Sequence, residues 1–215
     1  MRIGELSRAT GVPVPTIKYY VREGLLPPGE LTSPNQAHYG DAHADRLRLI
    51  RALLDVGGLS VAAIGKVLAA VEDTGGPLHS LLGAAAHSVC PRYPEEPVRD
   101  HLDDAAEVAR ELIGRRGWRV PADHPAVAAL TAAVAAFLAL GHDDYLDFLD
   151  EFAGASEQIA AADLDYVLRR RERGDLVERV VVGTVLGDAL LGALRRLAQA
   201  DNSARRFNAV PPPAP

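Results

Sequence analysis

Two short helical segments separated by a tight turn open the chain, and they constrain its fold more than any other feature. The first segment ends at Gly11 and the second runs from Val14 to Arg22, so about three or four residues connect them. That spacing is typical of a helix-turn-helix motif. Pro13 and Pro15 fall at the start of the second segment, where the first N–H groups have no intrahelical partner and proline is tolerated. Because helices this short are marginal alone, they are expected to pack against further helices.

The next stretch is rich in residues that form turns. Pro27-Pro28-Gly29 follows the second helix, and the chain is then mostly polar from Thr32 to Gln36, before Tyr39. This composition predicts a small two-stranded wing.

Two more helices complete the predicted first domain. Apolar residues recur at helical spacing from Asp41 to Gly57-Gly58, and Ser60 is placed to cap a fourth helix. Gly75-Gly76-Pro77 then ends the unit. We therefore expect a winged helix-turn-helix domain over residues 1–74.

The rest of the chain is rich in alanine, leucine and acidic residues and has no period-two alternation, which predicts helices throughout. The expected helices are Leu78–Val89, Val98–Arg116, Pro125–Leu140, Asp144–Phe152, Ser156–Arg171 and Leu176–Ala200. Residues 75–97 are expected to form a linker with a short helix, residues 98–200 an all-helical domain, and residues 201–215 a disordered tail. The predicted fold class is therefore mainly all-α, with a small β wing.

Composition and charge exclude several protein classes. With 215 residues, 48% hydrophobic and 24% charged, the chain has globular composition rather than that of a disordered or polytopic membrane protein. The single cysteine, Cys90, cannot form an intramolecular disulfide, and the N-terminus lacks a signal-peptide pattern, so we expect a cytoplasmic protein. The net charge of −6 argues against nucleic acid as a partner. However, residues 1–72 carry +1 and the remainder −7, as expected when only the first part meets a polyanion.

Several short sequence blocks occur in a defined order within the first third of the chain. They are Ile3-Gly4-Glu5-Leu6, Thr10-Gly11-Val12, Thr16-Ile17-Lys18-Tyr19-Tyr20, Glu23-Gly24-Leu25-Leu26-Pro27, Tyr39, Arg46-Leu47-Arg48-Leu49-Ile50 and Leu59-Ser60-Val61-Ala62-Ala63-Ile64. In this order and spacing they resemble the DNA-binding domain of the MerR family of transcriptional regulators. The resemblance implies a winged helix-turn-helix fold and binding to double-stranded promoter DNA. For the rest of the chain it implies only a dimerisation helix and an effector region, whose nature varies within the family.

The second helix is the predicted recognition helix. Lys18 is expected to point into the major groove and donate to guanine or to phosphate, while Tyr19 or Tyr20 offers a hydroxyl to a phosphate from an exposed ring. The predicted DNA-contacting residues are Thr16, Lys18, Tyr19, Tyr20, Arg22, His38 and Arg46. At least one arginine of the third helix is expected to form a surface ion pair instead; the arginines are Arg46, Arg48 and Arg51, and the acids are Asp45 and Asp55.

Two positions depart from the family pattern. Members commonly have an arginine or similar polar residue where Pro15 stands, so specificity is expected to depend on Lys18 and on DNA shape. In the wing, Gln36-Ala37-His38-Tyr39 replaces the usual Gly-Tyr-Arg before the last strand residue. This replacement leaves His38, with Asn35 or Gln36, as the expected contact to the DNA backbone.

A regulator of this kind is expected to read two half-sites as a homodimer. The predicted dimer seam lies in the helix Val98–Arg116, where apolar residues alternate at spacings of about four and three: Val98, Leu102, Ala105, Ala109 and Leu112. The stretch Val180–Leu194 is predicted to be a central buried helix containing a buried acid, Asp188, and is an alternative or additional dimer element.

The effector region offers few candidate residues. Trp118, Tyr145 and Tyr166 are either core anchors or walls of a pocket for a small hydrophobic ligand. Cys90 lies near His87 and His79, but a lone cysteine lacks the paired thiolates typical of metal sensors, so no metal or cofactor is expected. No catalytic motif occurs in a supportive context, and we do not expect an enzyme.

The resemblance implies a promoter whose elements are spaced too far apart. Effector binding then bends and untwists the bound DNA, which brings those elements into register for RNA polymerase. Two alternatives remain open: a helical protein that sequesters a hydrophobic molecule and has vestigial DNA binding, and a DNA-bound scaffold that recruits a protein through its acidic helices.

Overall fold

The computed structural model describes residues 1–33, 36–72, 86, 89–90, 93, 96–169 and 173–207. The α-helices are α1 Ile3–Thr10, α2 Val14–Arg22, α3 Asp41–Asp55, α4 Val61–Glu72, α5 Leu102–Arg116, α6 Pro125–Ala139, α7 Leu149–Leu168 and α8 Arg173–Arg206. A two-stranded antiparallel sheet consists of β1 Glu30–Ser33 and β2 Gln36–His38, and 3₁₀ helices span Glu96–His101 and Asp143–Phe148. This architecture confirms the predicted winged helix-turn-helix followed by helices. Most of the predicted helix Leu78–Val89, with His79 and His87, lies outside the described residues, as do Asn35 and the tail from residue 208.

The chain divides into two compact units. One comprises Met1–Glu72 together with the chain from Val182 onward, and the other spans Asp73–Val181. The division differs from the predicted domains of residues 1–74 and 98–200, because most of α8 belongs with the N-terminal segment. We call the unit formed by residues 1–72 and 182–215 the α2 unit, and the unit formed by residues 73–181 the α6 unit.

The core of the α2 unit joins the helix-turn-helix to α3 and α4. Its fully buried side chains come from every helix of the N-terminal segment: Leu6, Val12, Ile17, Leu25, Leu26, Leu47, Ile50, Leu53, Ile64 and Val67. Backbone bonds tie the wing to the chain start, since Tyr39 N–H donates to the Met1 carbonyl at 2.8 Å and the Met1 ammonium donates to the Tyr39 carbonyl at 2.7 Å. The core packing therefore holds one face of α2, and the backbone bonds hold the wing against the start of the chain.

Helix α8 packs against the end of α3. Val185 is buried, and a Cβ added at Gly57 would overlap its Cγ1 and lie 2.8 Å from the Leu53 carbonyl oxygen. Only a residue without a side chain fits at position 57, because α8 approaches the backbone there.

The core of the α6 unit lies between α5 and α6, around Ala105, Val134 and Ala135. Ala109 and Leu112 are also buried, and Val98 and Leu102 pack against the same core. The predicted dimer seam on α5 is therefore wrong, because its apolar side chains are buried within one chain.

Three further predictions about the helices are wrong. A break was expected between Phe152 and Ser156, but α7 runs through it, because the Ser156 hydroxyl donates to the Phe152 carbonyl four residues back at 2.8 Å, as serine does inside a helix, and does not cap a new one. The stretch Val180–Leu194 is not centrally buried: Leu190, Leu194 and Asp188 are exposed. Residues 201–206, expected to be disordered, continue α8, where Asn202 donates to the Ala198 carbonyl at 3.0 Å. No helix in the described part of the chain is both long and apolar enough to cross a membrane.

Candidate DNA-binding surface

The ends of helix α2 are set by proline and glycine residues. Pro13 precedes its first turn without a side-chain cap, Pro15 lies within that turn, and Gly24 follows the helix with φ of 72°, a value that suits glycine. Ile17 is fully buried beneath the helix. Since one face of α2 is fixed by this packing, the opposite face has a defined orientation toward solvent.

The outward face of α2 carries the predicted cations. Lys18 and Arg22 are exposed, and Thr16 and Tyr19 are half-buried beside them. Residues 18, 19 and 22 lie on one side of the helix because they are spaced by three and four. The Arg22 guanidinium carbon lies 5.2 Å from the centre of the Tyr19 ring, and its Nε lies 3.3 Å from Glu23 Oε1. The structure therefore brings Lys18, Tyr19 and Arg22 together on one accessible surface.

Tyr20 does not belong to that surface. Its side chain is only 5% exposed, and burial raises the pKa of its hydroxyl. An exposed Tyr20 ring, one of the two expected, is therefore not found: consecutive residues of a helix point about 100° apart, and Tyr20 lies on the buried side with Ile17.

The arginines of α3 have other partners. Arg46 Nε donates to the Leu25 carbonyl at 2.9 Å, which links α3 to the turn after α2. Arg48 pairs with Asp45 at 2.5 Å and Arg51 with Asp55 at 2.6 Å, which confirms the expected ion pairs. Arg46 therefore supports the position of α2 as well as being a candidate contact.

The wing presents His38 to solvent beside the chain start. In the sheet, Glu30 pairs with His38 and Leu31 with Ala37. His38 Nε2 lies 2.7 Å from the Met1 amino nitrogen, so the wing carries a cationic group that the wing sequence does not contain. Sequence reasoning missed this group, because nothing in the pattern places the first residue against the thirty-eighth.

The structural units separate charge more sharply than the sequence does. Residues 1–72 carry +1, and the chain from Val182 adds four arginines and two aspartates, so the α2 unit carries +3 and the α6 unit −9. The arginines that sequence reasoning did not assign to the DNA-binding domain are Arg195, Arg196, Arg205 and Arg206. These four arginines are part of the α2 unit only because α8 packs against the N-terminal segment.

The three candidate effector residues have separate environments in the α6 unit. Trp118 donates from Nε1 to Glu157 Oε1 at 2.9 Å, and Arg116 Nε donates to the same oxygen at 3.0 Å. Tyr145 stacks on Phe137, whereas the Tyr166 ring lies under the Arg179 guanidinium, 4.5 Å from its carbon. Each of the three therefore contacts a different partner: Glu157, Phe137 and Arg179.

The Trp118 environment gives a testable pH dependence. Hydrogen bonds from Arg116 and Trp118 lower the pKa of Glu157, so its stabilising effect is complete above about pH 4.3 and is lost as pH falls through the lower folded pKa. Because Trp118 is the chain's single tryptophan, its fluorescence should titrate with a midpoint below about 4.3. Glu157→Gln should abolish this transition and Glu111→Gln should keep it, with helicity followed in parallel. A midpoint at or above the ordinary value would contradict the assignment.

Metal ligands do not cluster in the part of the chain that the structure describes: no three His, Cys, Asp or Glu side chains come together there. Cys90 is half-buried.

Comparison with known proteins gives consistent matches. Residues 1–71 match the family model described as MerR HTH family regulatory protein. The chain is 46% identical over 50 residues to the HTH-type transcriptional regulator ZntR homolog of Haemophilus influenzae, covering 23% of this chain and 37% of that protein. It is 40% identical over 73 residues to the HTH-type transcriptional regulator HmrR of Sinorhizobium medicae, covering 34% of this chain and 49% of that protein. The chain therefore spans only about half, or less, of the length of these two curated relatives.

A solved structure extends the similarity to the whole chain. SCO5550 of Streptomyces coelicolor A3(2), described as a transcriptional regulator, is 33% identical with a TM-score of 0.66, and the match covers 99% of this chain and 100% of that one. The match thus includes the helical region that the family model does not reach. The chain belongs to the MerR family of transcriptional regulators.

Proposed function

We propose that this protein binds double-stranded promoter DNA as a homodimer in the cytoplasm and changes the shape of that DNA when an effector binds its α6 unit. The observation that carries the proposal is the exposed cationic face of α2, with Lys18 and Arg22 on a helix whose opposite face is buried, in a unit of charge +3. A rigidly held helix with an accessible polar face suits insertion into the major groove.

Each contact residue has a distinct proposed role. Lys18 donates to the O6 and N7 acceptors of guanine or to a neighbouring phosphate. The Tyr19 hydroxyl and the Arg22 guanidinium bind the phosphate backbone, and Thr16 supplements them from the start of the helix. Arg46 holds the turn after α2 through the Leu25 carbonyl. These contacts fix the register of α2 on the duplex.

The wing provides a second, non-helical contact. The Met1 ammonium lies 2.7 Å from His38 Nε2 on the exposed side of the wing; His38 accepts from it there, and a phosphate placed beside the pair would accept from the ammonium. Because phosphate contacts position a protein without reading sequence, the wing sets orientation and α2 supplies specificity.

Helix α8 supplies the proposed dimer seam. Leu190, Leu194 and Leu197 are 60%, 51% and 67% exposed and are spaced by four and three, the repeat of a coiled-coil seam. Because this part of α8 belongs to the same unit as α2, pairing two α8 segments holds two recognition helices in one particle. Two half-sites can then be read together.

Regulation follows from differential affinity. An effector that binds one conformation of the dimer more tightly shifts the population toward it. If that conformation holds bent and untwisted DNA, the promoter elements come into register for RNA polymerase, and deformability of the central sequence contributes to specificity.

The binding role is tested by substitutions on α2. Lys18→Ala should weaken specific binding to the protein's own promoter region by about 1–3 kcal/mol, which is roughly 5- to 150-fold, in gel-shift titrations at two salt concentrations. Tyr19→Phe should weaken it less, because one neutral hydrogen bond is lost.

Two controls make the test specific. Arg48→Ala removes the same charge from a residue paired with Asp45, and Tyr20→Phe removes a hydroxyl from a buried ring; both should keep the wild-type affinity. Absence of specific binding at low salt would refute the proposal and favour sequestration of a ligand. An equal loss in Arg48→Ala would refute the placement of α2 in the groove.

A further inference from the structure

One leucine of the wing lies in solvent. Leu31 is 78% exposed, whereas every other leucine described in residues 1–72 is buried or half-buried. Single exposed apolar residues are common on protein surfaces, but this one lies on a hairpin that follows the candidate DNA-binding helix α2. Its apolar surface is therefore available to whatever the wing contacts.

The base of the wing fixes the place of this leucine. A Cβ added at Gly29 would lie 2.9 Å from both the His38 carbonyl oxygen and Tyr39 Cζ, so the start of β1 packs closely on the end of β2. Tyr39 itself is buried. Leu31 lies two residues beyond Gly29 and pairs with Ala37 in the sheet, so the strand ladder defines its position.

The two faces of the wing differ in chemistry. Glu30 pairs with His38, and Leu31 pairs with Ala37. Directly opposed residues share a face of the sheet and successive residues alternate between faces. Leu31 and Ala37 therefore form an apolar face, and the polar pair of His38 and Met1 lies on the other one.

The apolar face has no cation with which to bind phosphate. Residues 23–45 contain no lysine or arginine, and the Met1 ammonium lies beside His38 on the opposite face. Contacts to the DNA backbone come mainly from cationic and polar groups, so this face is poorly suited to them. Leucine makes a different contact with DNA, because it can enter the minor groove and partly unstack a base step.

We propose that Leu31 enters the minor groove next to the major-groove site of α2 and wedges against a base step there. The proposal rests on the proposed function, since it requires α2 in the major groove. Residues 23–29 connect α2 to β1, and this short connection keeps the wing near α2 on the duplex. A leucine wedge favours the easily unstacked TA and CA steps and kinks the duplex toward the major groove. The wing then adds a shape-dependent preference to the direct readout by α2.

The test varies one base step at a time. Duplexes carry the protein's own binding site, with TA or AA placed in turn at each step that flanks the α2 half-site. Gel-shift titration of the full chain should find a step at which TA binds about 5- to 30-fold more tightly than AA. An adenine analogue that fluoresces when unstacked, 2-aminopurine, should brighten at that step when the wild-type chain binds.

Substitution of Leu31 should remove both signals. Leu31→Ala should lower affinity for the TA duplex by about 5- to 30-fold, bind TA and AA alike, and leave 2-aminopurine dark. The loss should be the same at two salt concentrations, because an apolar contact releases no counterion. Leu31→Thr should behave in the same way while keeping a residue that favours strands, so a disturbed hairpin does not explain the result.

Two controls separate this contact from others. Leu140→Ala removes a 72% exposed leucine from the α6 unit and should change neither affinity nor step preference. Lys18→Ala should weaken binding to the TA and AA duplexes equally and keep the 2-aminopurine signal at saturation. If Lys18 binds phosphate, the salt slope should also fall by about one.

Three results would overturn the proposal. They are a wild-type chain with no step preference, Leu31 variants that keep the wild-type affinity and preference, and a loss in Leu140→Ala equal to that in Leu31→Ala. Specific binding that Lys18→Ala weakens and the Leu31 variants do not would refute this proposal alone and would assign the apolar face to a protein partner. Absence of specific binding by the wild-type chain would refute the proposed function and this contact with it.

Discussion

Alanine at position 57 is expected to lower the free energy of unfolding by about 2–3 kcal/mol, toward the upper end of the usual cost of overpacking. The new Cβ would overlap Val185 Cγ1 and would lie 2.8 Å from the Leu53 carbonyl oxygen. Since the second contact is to backbone, neither α3 nor α8 can relieve it by a rotamer change. Urea denaturation followed by circular dichroism measures the loss.

Two further variants make this result specific. Gly65→Ala places a methyl group in α4 at 3.6 Å from Leu25 Cδ2, an ordinary contact, and should raise stability by about 0.5–1 kcal/mol because alanine is the better helix former. Adding Val185→Ala to Gly57→Ala should recover part of the loss, since it removes one of the two contacts. A neutral Gly57→Ala, or one as favourable as Gly65→Ala, would show that α8 does not pack there.

Leu194→Glu is expected to disrupt the proposed homodimer and with it specific DNA binding. The substitution places two carboxylates, one per chain, at a seam where each leucine contributes about 1.5–3 kcal/mol by burial. The dimer dissociation constant should therefore rise by about a hundredfold or more. Sedimentation equilibrium measures the dissociation constant, and a gel shift measures binding to a two-half-site duplex.

The matched control is Leu164→Glu on α7, where the leucine is 53% exposed compared with 51% for Leu194. This variant should remain dimeric and bind DNA normally. Dissociation by Leu164→Glu with no effect of Leu194→Glu would move the interface to α7. A wild-type chain that is monomeric at all concentrations would refute the dimer itself.

Much of the helix-turn-helix was predictable because its signals are local. Pro13, Pro15 and Gly24 mark the ends of α2 by their own backbone preferences, and the turn residues around Thr32 mark the wing. The burial of Tyr20 was not predictable from residue type, because Tyr19 and Tyr20 are the same amino acid at adjacent positions. They differ only in that Tyr20 lies on the buried face of α2 with Ile17.

The helical region was less predictable for a physical reason. Apolar residues spaced by four and three can be buried against another helix of the same chain or against a second chain. The sequence around Ala105 therefore does not reveal that α6 covers these residues. Likewise, the arginines of α8 could be assigned to the α2 unit only after Gly57 and Val185 were found in contact. Long-range contacts of this kind leave no periodic signal in the sequence.

The distribution of the α2 unit along the chain also affects how the protein matures on the ribosome. Helix α2 is made early, but Val185, which contacts Gly57, follows more than a hundred residues later, after the whole Asp73–Val181 segment. Domains generally fold as units as the chain emerges, so the acidic unit is complete while the basic one still lacks its final helix. A nascent or prematurely terminated chain would therefore hold a complete acidic unit and an α2 unit without α8, so it would lack the helix that the proposed function uses to pair two chains on DNA.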